Sequence, residues 1–511
     1  MHRHYPTLPL HSASGFPVGG AAIPEPGKTM TAPRFVLNSI LLMAVEVLTK
    51  AVGVVFFALV ARFLGAGEVG LYAFALAVSN FIVIPAKFGF ENLVQREVGR
   101  EPAMSRHYLW GLGALKGIIS LGVLGLFLLG LWIAGRQDLT VLLLAAGFGL
   151  MFSFMEFLNA FFRANQRPEF ELAVRLVFSM SNLVVGVLVL YAGWRVAGVL
   201  LVQLGSVAVA TIMALIILSR IAPPGAGAWT WRSLWDYLKA AAPFAGLLLS
   251  LYFSNQVGII ILKLFTGDAQ VGYFAAALRL FDNLTLIPAA VMGAFLPLMS
   301  QLFIRSTTAF VHTLRFTLKY LFILAFPVVT LMVVLARPIT IFLYGEAFLP
   351  AAAALQILCL ALLFCFWNYA CTNVLIARNE ERALLWLTWL TAVVHVAGNL
   401  LYVMAFDYLG ACWAILTTQA TFGIILYGVQ MRRYLRLGAL IKLTAGPLMC
   451  AAAAGLVAYL ARDWNLLLSM SAGFLVYGAG LLAMGIVNRA EVNRLQTLVA
   501  SRAPKIPATS G

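Results

Sequence analysis

The chain has 511 residues, of which 62% are hydrophobic and only 11% are charged. Soluble globular chains are nearer 45–50% apolar, and this chain has too few polar residues to cover a soluble fold of its length. Its formal net charge of +16 would suggest a nucleic-acid partner in a soluble protein, but no basic run with interleaved aromatic residues is present. The composition therefore excludes a soluble protein and predicts an all-α integral membrane protein.

Long apolar runs with charged breaks dominate the chain after a polar, Pro- and Gly-rich segment at 1–33. We interpret that segment as a disordered cytoplasmic tail or, because Met30 opens a plausible alternative start, as a start-site artefact. Each run is long enough for the ~20 apolar residues that a hydrocarbon core requires. They predict about fourteen transmembrane helices, near 36–63, 68–90, 109–134, 139–162, 171–192, 194–221, 241–265, 272–301, 315–336, 350–376, 382–405, 408–430, 438–460 and 465–488.

The basic residues predict the orientation of these helices. If both termini are cytoplasmic, the Lys and Arg clusters all fall in inner loops, whereas each outer loop carries one basic residue or none. The inner clusters are Arg96/Arg100/Arg106, Arg163/Arg167/Arg175, Arg220/Arg232/Lys239, Arg305/Arg315/Lys319 and Arg432/Arg433/Arg436. We therefore expect a multi-pass protein with both termini in the cytoplasm.

An internal repeat divides the chain. Residues 65–76 and 267–278 are identical at half of their aligned positions, and both segments join two helices on the predicted outer side. Parallel repeats of this kind are typical of transporters, which bind substrate where the two halves meet. The repeat predicts an N-terminal six-helix lobe at 34–221, a C-terminal six-helix lobe at 229–436, a helix pair at 438–488 and a cytoplasmic tail at 489–511.

Ionisable side chains occur at predicted membrane depth, where each costs about 2.5–3.5 kcal/mol on insertion scales and so needs a reason. Our first hypothesis is a water-filled cavity between the lobes, lined by cations and suited to an anionic substrate. The candidate substrate-binding residues are Lys50, Lys87, Lys116 and Arg279. The candidates for proton or ion coupling are Glu46, Glu156 and Asp282.

A structural interpretation of the same residues remains open. Glu46 and Lys50 lie one turn apart, as do Arg279 and Asp282, so each pair could neutralise itself and only hold helices together. Lysines near cytoplasmic helix ends, such as Lys87, reach the interface through their long side chains. Lys116 is open to the same interpretation, and Glu156 could pair with a basic residue of another helix.

Catalytic and cofactor motifs are missing from the sequence. It contains no HExxH, no GxSxG between strands, no CxxC and no phosphate-binding loop. The five cysteines lie in apolar stretches, where we interpret them as small buried hydrophobes. We therefore expect a transporter without enzymatic activity, cofactor or metal, driven by an ion gradient or by the membrane potential.

Several segments resemble bacterial polysaccharide flippases, over about residues 35–430. These segments are 59–65, 69–72, 88–90, 237–244, 271–276, 338–345 and 351–358. The resemblance implies fourteen helices, two lobes and a cationic central cavity. It also implies that the protein turns undecaprenyl-diphosphate-linked oligosaccharide, such as an O-antigen, capsule or exopolysaccharide repeat unit, to the outer leaflet of a bacterial inner membrane.

The resemblance extends to residues and partners. Basic residues on the first, second and eighth helices matter in related flippases, and Lys50, Lys87 and Arg279 occupy those helices here. The implied partners are the lipid-linked oligosaccharide and membrane lipids, with a polysaccharide polymerase and export machinery as further candidates. We expect the sugar headgroup in the cavity and the polyprenyl tail against the last helix pair. There, the small residues at 451–455 and 471–473 leave a groove or permit close packing.

The alternative function is an ion-coupled multidrug antiporter, which belongs to the same superfamily. Such antiporters usually have twelve helices and acidic cavities for cationic drugs. The extra helix pair and the basic residues at membrane depth favour the flippase. A third possibility, a glycosyl polymerase or ligase, disagrees with the short outer loops of this chain.

Overall fold

A computed structural model describes residues 32–134, 138–221 and 231–487, so the predicted terminal tails lie almost entirely outside the described residues. The described part of the chain contains helices and no strand, which confirms the all-α prediction. The helices are α1 (Ala32–Lys87), α2 (Phe90–Arg100), α3 (Ser105–Ala134), α4 (Leu139–Ala164), α5 (Pro168–Tyr191), α6 (Val196–Ile221), α7 (Trp231–Phe265), α8 (Asp268–Leu284), α9 (Leu286–Arg305), α10 (Thr307–Val334), α11 (Ala336–Tyr344), α12 (Ala351–Ala377), α13 (Glu381–Val429), α14 (Leu437–Leu460) and α15 (Leu466–Ala483).

Eleven helical spans in the described residues are long and apolar enough to cross a membrane. Two of them, Glu46–Lys87 and Arg382–Val429, have 42 and 48 residues, about twice the length that one crossing needs. Each contains a residue with a positive φ angle, Gly65 at 75° and Asp407 at 51°. These breaks lie where the sequence predicts one helix to end and the next to begin. The protein is therefore a multi-pass membrane protein, and the total of fourteen helices stays a prediction.

The predicted helix at 272–301 is interrupted at Thr285, which separates α8 from α9. Pro288 has no N–H to donate to the carbonyl one turn earlier, and proline fits the first turn of a helix, where that N–H has no partner within the helix. Polar side chains satisfy the carbonyls beside the break. Asn283 Nδ2 donates to the Arg279 carbonyl at 2.5 Å, and Thr285 Oγ1 donates to the Asp282 carbonyl at 2.7 Å. The break therefore places Arg279 and Asp282 near the end of a helix within the membrane.

The helices pack mainly with neighbours from their own half of the chain. In the first half, α1, α4, α5 and α6 contact one another. In the second half, α8, α10 and α13 pack around α12, and α7 packs against α13. The last pair, α14 and α15, packs together and against α10. Contacts between the halves run chiefly from α1 to α7 and α8. The two-lobe division of the sequence stays a prediction, but α1 and α8 are the helices between which a site joining the halves has to lie.

Labelling with a membrane-impermeant thiol reagent tests the predicted orientation. Gly267 is exposed in a predicted outer loop, and a Cβ atom added there would meet no other atom within 4 Å. Ala103 is exposed and lies in a predicted inner loop. Gly267→Cys should react in intact cells and Ala103→Cys only after the membrane is opened. Reaction of Ala103→Cys in intact cells would contradict the orientation. Ser105 is unsuitable as the inner position because it is fully buried and bonds Asn165.

Candidate functional site

Arg279 on α8 extends toward α1, where Gly53 leaves room for it. A Cβ atom on Gly53 would lie 2.8 Å from Arg279 Nη2. The guanidinium lies over the ring of Phe57 at 5.9 Å. Its buried Nε has no hydrogen-bond partner among the described residues, and within the same residues Arg279 forms no ion pair with Asp282. The predicted self-neutralising pair of Arg279 and Asp282 is therefore not formed, and the guanidinium is available to a ligand.

Two adjoining cavities meet at Arg279. The larger cavity, of about 250 Å³, lies among α1, α4, α5 and α6, and the smaller cavity, of about 100 Å³, lies between α1, α7 and α8. Phe57, Leu76, Asn80 and Arg279 line both. The polar residues that line only the larger cavity are Thr49, Tyr72, Ser79, Ser179, Asn182 and Gln203. Arg279 therefore lies between the larger cavity, whose other polar lining residues are uncharged, and the smaller cavity.

Asp282 and Gln256 supply the polar lining of the smaller cavity, together with Asn80 and Arg279. The Asp282 side chain is solvent-accessible although it belongs to a helix that spans the membrane. Asp282 lies one turn after Arg279 on α8. These two residues carry the charges that line the smaller cavity at the junction of the two halves.

Lys50 and Glu46 form an ion pair of 3.8 Å on α1, with 37% and 49% of their side chains exposed. Lys50 directly follows Thr49, which lines the larger cavity. Lys50 itself is not among the residues that line either cavity.

Lys116 occupies a different place, inside the first half of the protein. It is fully buried and donates to the Ala86 carbonyl at 2.7 Å and to Ser153 Oγ at 2.6 Å. Helix α1 ends at Lys87, and the last carbonyls of a helix lack partners within it. An ammonium group at a helix C-terminus also interacts favourably with the helix dipole. The Lys116 side chain therefore caps the C-terminal end of α1. It lines neither of the two cavities.

Glu156 belongs to a buried network of charges between α4 and α5. Arg175 contacts Glu156 at 2.9 Å and Glu171 at 3.0 Å, and Arg163 contacts Glu171 at 2.7 Å. Glu156 thus has the basic partner on another helix that its structural interpretation requires. Lys87 forms its ion pair with Glu91, one turn further, at 3.2 Å. The structure places Arg279 and Asp282 at the cavities, and it places Lys50, Lys87, Lys116 and Glu156 outside the cavity lining.

The search for ionisable residues missed the neutral polar residues of the site. The missed residues interrupt apolar helices and line one or both cavities; they are Asn80, Asn182, Gln203 and Gln256. Buried amide groups require hydrogen-bond partners. An amide within a long apolar run was therefore a usable signal, although it does not identify which helices meet.

The two copies of the internal repeat contact each other where the Gly65 break of α1 meets the first turn of α8, on the side that the loop charges predict to be outer. A Cβ on Gly70 would lie 1.7 Å from the Asp268 carbonyl oxygen, and one on Gly272 would lie 2.1 Å from that of Ala66. Gly70 and Gly272 are equivalent in the repeat, as are Ala66 and Asp268. The contact is therefore symmetric, and it joins the two halves at this position.

A protein-family model described as polysaccharide biosynthesis protein matches residues 35–303, which is more than half of the chain. The chain belongs to this family. The matched residues contain α1 to α8, and with them Arg279, Asp282 and most of both cavities. The sequence resemblance to polysaccharide flippases is thereby confirmed at the level of the family. No curated protein matches the chain.

Solved structures share the fold of this polysaccharide biosynthesis protein. The lipid II flippase MurJ in an inward closed conformation superposes with a TM-score of 0.70 at 16% identity, over 87% of this chain and 98% of MurJ. An inward-facing multidrug resistance MATE transporter of the MOP superfamily gives 0.61 at 15% identity, over 77% and 96%. A MOP superfamily transporter from Pyrococcus furiosus gives 0.51 at 15% identity, over 79% and 95%. The fold is that of membrane transporters and flippases.

Proposed function

We propose that the protein is a flippase for undecaprenyl-diphosphate-linked oligosaccharide. It moves an O-antigen, capsule or exopolysaccharide unit from the inner to the outer leaflet of a bacterial cytoplasmic membrane by alternating access. The observation that carries the proposal is the Arg279 guanidinium, which lies between the two halves without an ion-pair partner among the described residues. Membership of the polysaccharide biosynthesis family supports the same substrate class.

The charges of the site suit a diphosphate. Guanidinium groups bind phosphate oxygens through two parallel hydrogen bonds, and Lys50 adds a second, point-like positive charge. Asp282 lines the smaller cavity beside Arg279, so its carboxylate competes with the substrate for that guanidinium. We propose that Asp282 couples transport to a proton or an ion, whereas Glu156 and Glu171 hold α4 and α5 together through Arg175.

The membrane potential acts in the required direction. An inside-negative potential favours outward movement of an anionic headgroup, by about 2.3 kcal/mol per charge per 100 mV. Outward flipping of a diphosphate therefore requires no nucleotide hydrolysis by this chain.

The antiporter alternative requires an acidic site for cationic drugs. Among the described residues that line the two cavities, Asp282 is the only carboxylate, and Arg279 lines the smaller cavity with it. The Arg279 guanidinium, which lines both cavities without an ion-pair partner among the described residues, favours an anionic substrate over a cationic one.

Deletion of the gene tests the function. The deletion strain should accumulate diphosphate-linked oligosaccharide in the inner leaflet and lose surface polysaccharide, and the wild-type gene should restore both. An unchanged lipid-linked pool with intact surface polysaccharide and new drug sensitivity would favour the antiporter.

An apolar groove of about 450 Å³ offers a path for the polyprenyl tail. It lies where α14 meets α10, α12 and α13, and its lining includes Phe326, Phe364, Ile424, Ile441 and Thr444. We propose that the tail lies here while the headgroup occupies the cavities. The small residues of the last helix pair serve packing instead, because a Cβ on Gly455 or Gly473 would lie 2.6 or 2.5 Å from a side chain of α10.

Filling the groove should slow flipping. Ile441 on α14 is 58% exposed within the groove, and Ile212 on α6 is 58% exposed away from it. Ile441→Trp should reduce the flipping rate in proteoliposomes severalfold at normal expression, because the indole occupies space needed by the tail. The matched Ile212→Trp should flip at the wild-type rate. Equal rates for Ile441→Trp and the wild type would exclude the groove as the path.

A further inference from the structure

The larger cavity contains buried hydrogen-bond acceptors without partners. Asn182 Oδ1 and Gln203 Oε1 accept no hydrogen bond within the described part of the chain, although the two residues are only 9% and 5% exposed. Gln203 Nε2 donates a hydrogen bond to Tyr72 Oη at 2.6 Å, and this bond fixes the orientation of the amide group. Buried polar groups in proteins are normally satisfied. These two acceptors also line the larger cavity, so they are placed to accept hydrogen bonds from a ligand that carries donors.

The cavity also restricts the charge and size of that ligand. No carboxylate is among its described lining residues, and the Arg279 guanidinium at its edge disfavours a cation. Its volume of about 250 Å³ falls just below the ~300–1,000 Å³ of sites for drug-sized ligands. The ligand is therefore neutral or anionic, rich in O–H or N–H donors, and about the size of one ring.

The remaining lining combines flat apolar and polar surfaces. The rings of Phe148, Phe152 and Phe178 lie within 6.4 Å of one another between centroids and supply an aromatic wall. Asn80 and the hydroxyl groups of the cavity can both donate and accept hydrogen bonds. A pyranose has an apolar C–H face and a rim of hydroxyl groups, so it matches both surfaces.

We propose that the larger cavity binds the first sugar ring of the substrate, the one attached directly to the diphosphate. Arg279 lines both cavities, so a diphosphate held there places the adjoining sugar in the larger cavity. Asn182 and Gln203 then accept hydrogen bonds from sugar hydroxyl groups and determine specificity for that ring. This inference rests on the proposed diphosphate site at Arg279.

Binding to the purified full-length protein tests the inference with short-chain probes. One probe, farnesyl diphosphate, carries no sugar. The other three carry a single glucose, galactose or N-acetylglucosamine ring attached to the farnesyl diphosphate. At least one sugar probe should bind the wild type about tenfold tighter than farnesyl diphosphate, the effect of one or two additional hydrogen bonds. Asn182→Leu and Gln203→Leu should each remove that gain and leave the affinity for farnesyl diphosphate unchanged.

Controls separate this inference from the proposed function. Arg279→Gln should weaken all four probes together, and Asn159→Leu, which changes a buried amide that does not line the cavity, should change none. If Gln203→Leu fails to fold because Tyr72 loses its partner, Asn182→Leu carries the test. Equal affinity of the wild type for all four probes overturns the sugar site but not the diphosphate site. Failure of every probe to bind the wild type overturns both.

Discussion

Arg279→Gln should abolish transport while the folded protein accumulates to its normal level. A bidentate contact with a diphosphate comprises two charge-assisted hydrogen bonds of about 1.5–3 kcal/mol each, so its loss should lower the flipping rate by about 100-fold or more. The protein should fold because Arg279 has no ion-pair partner among the described residues that its removal would leave unpaired. Arg279→Lys should recover part of the activity, since lysine keeps the charge but not the planar fork. Complementation of surface polysaccharide and immunoblotting of the membrane fraction measure the two quantities.

Lys116→Met provides the contrast within the same experiment. Its removal deprives the Ala86 carbonyl and Ser153 Oγ of a buried donor, which costs about 1–3 kcal/mol for each unsatisfied group. Lys116→Met should therefore reduce the amount of folded protein, with transport per molecule less affected. If Lys116→Met accumulates normally but does not transport, the result would support a substrate-binding role for Lys116. Normal transport in Arg279→Gln would remove the residue on which the proposed function depends.

Hydrophobic patterning predicted the positions of the long helices because a membrane span requires one long apolar run. Both breaks inside the longest spans lie between runs that the sequence already separates, at Gly65 and Asp407. The interruption at Thr285 was not predicted, although Pro288 was visible, because a proline inside an apolar run either kinks a helix or begins a new one. Which of the two occurs depends on local partners such as Asn283 and Thr285.

The candidate site was less predictable, since a sequence shows that a charge is costly but not what the charge contacts. Arg279 and Lys116 look alike as cations at membrane depth. The structure separates them because Lys116 meets the end of α1 and Ser153, whereas Arg279 lines two cavities. The spacing of two opposite charges on a helix also does not predict whether they form an ion pair. Glu46 and Lys50 form one, whereas Arg279 and Asp282 do not. Contacts between distant helices decide each case, and one sequence does not contain them.

Gly70→Leu and Gly272→Leu should each stop transport by preventing the two repeats from closing against each other. A side chain at either position would overlap a carbonyl oxygen of the opposite repeat, at 1.7 or 2.1 Å from its Cβ atom. Helices approach this closely only through small residues. Alternating access requires each end of the site to close in turn, so a protein that cannot close this end remains open to the side that the loop charges predict to be outer.

Thiol labelling distinguishes a blocked closure from a misfolded protein. Asn80 lines both cavities, so a cysteine at this position reports access to the site, and the five native cysteines are buried. In intact cells, Asn80→Cys should react faster with an impermeant maleimide when Gly70→Leu is also present. Gly67→Leu is the matched control, because a Cβ at Gly67 has no atom within 4 Å, and it should change neither labelling nor transport. Wild-type transport by Gly70→Leu would show that this contact is not part of the cycle, since the overlap of leucine with the Asp268 carbonyl leaves no room for closure.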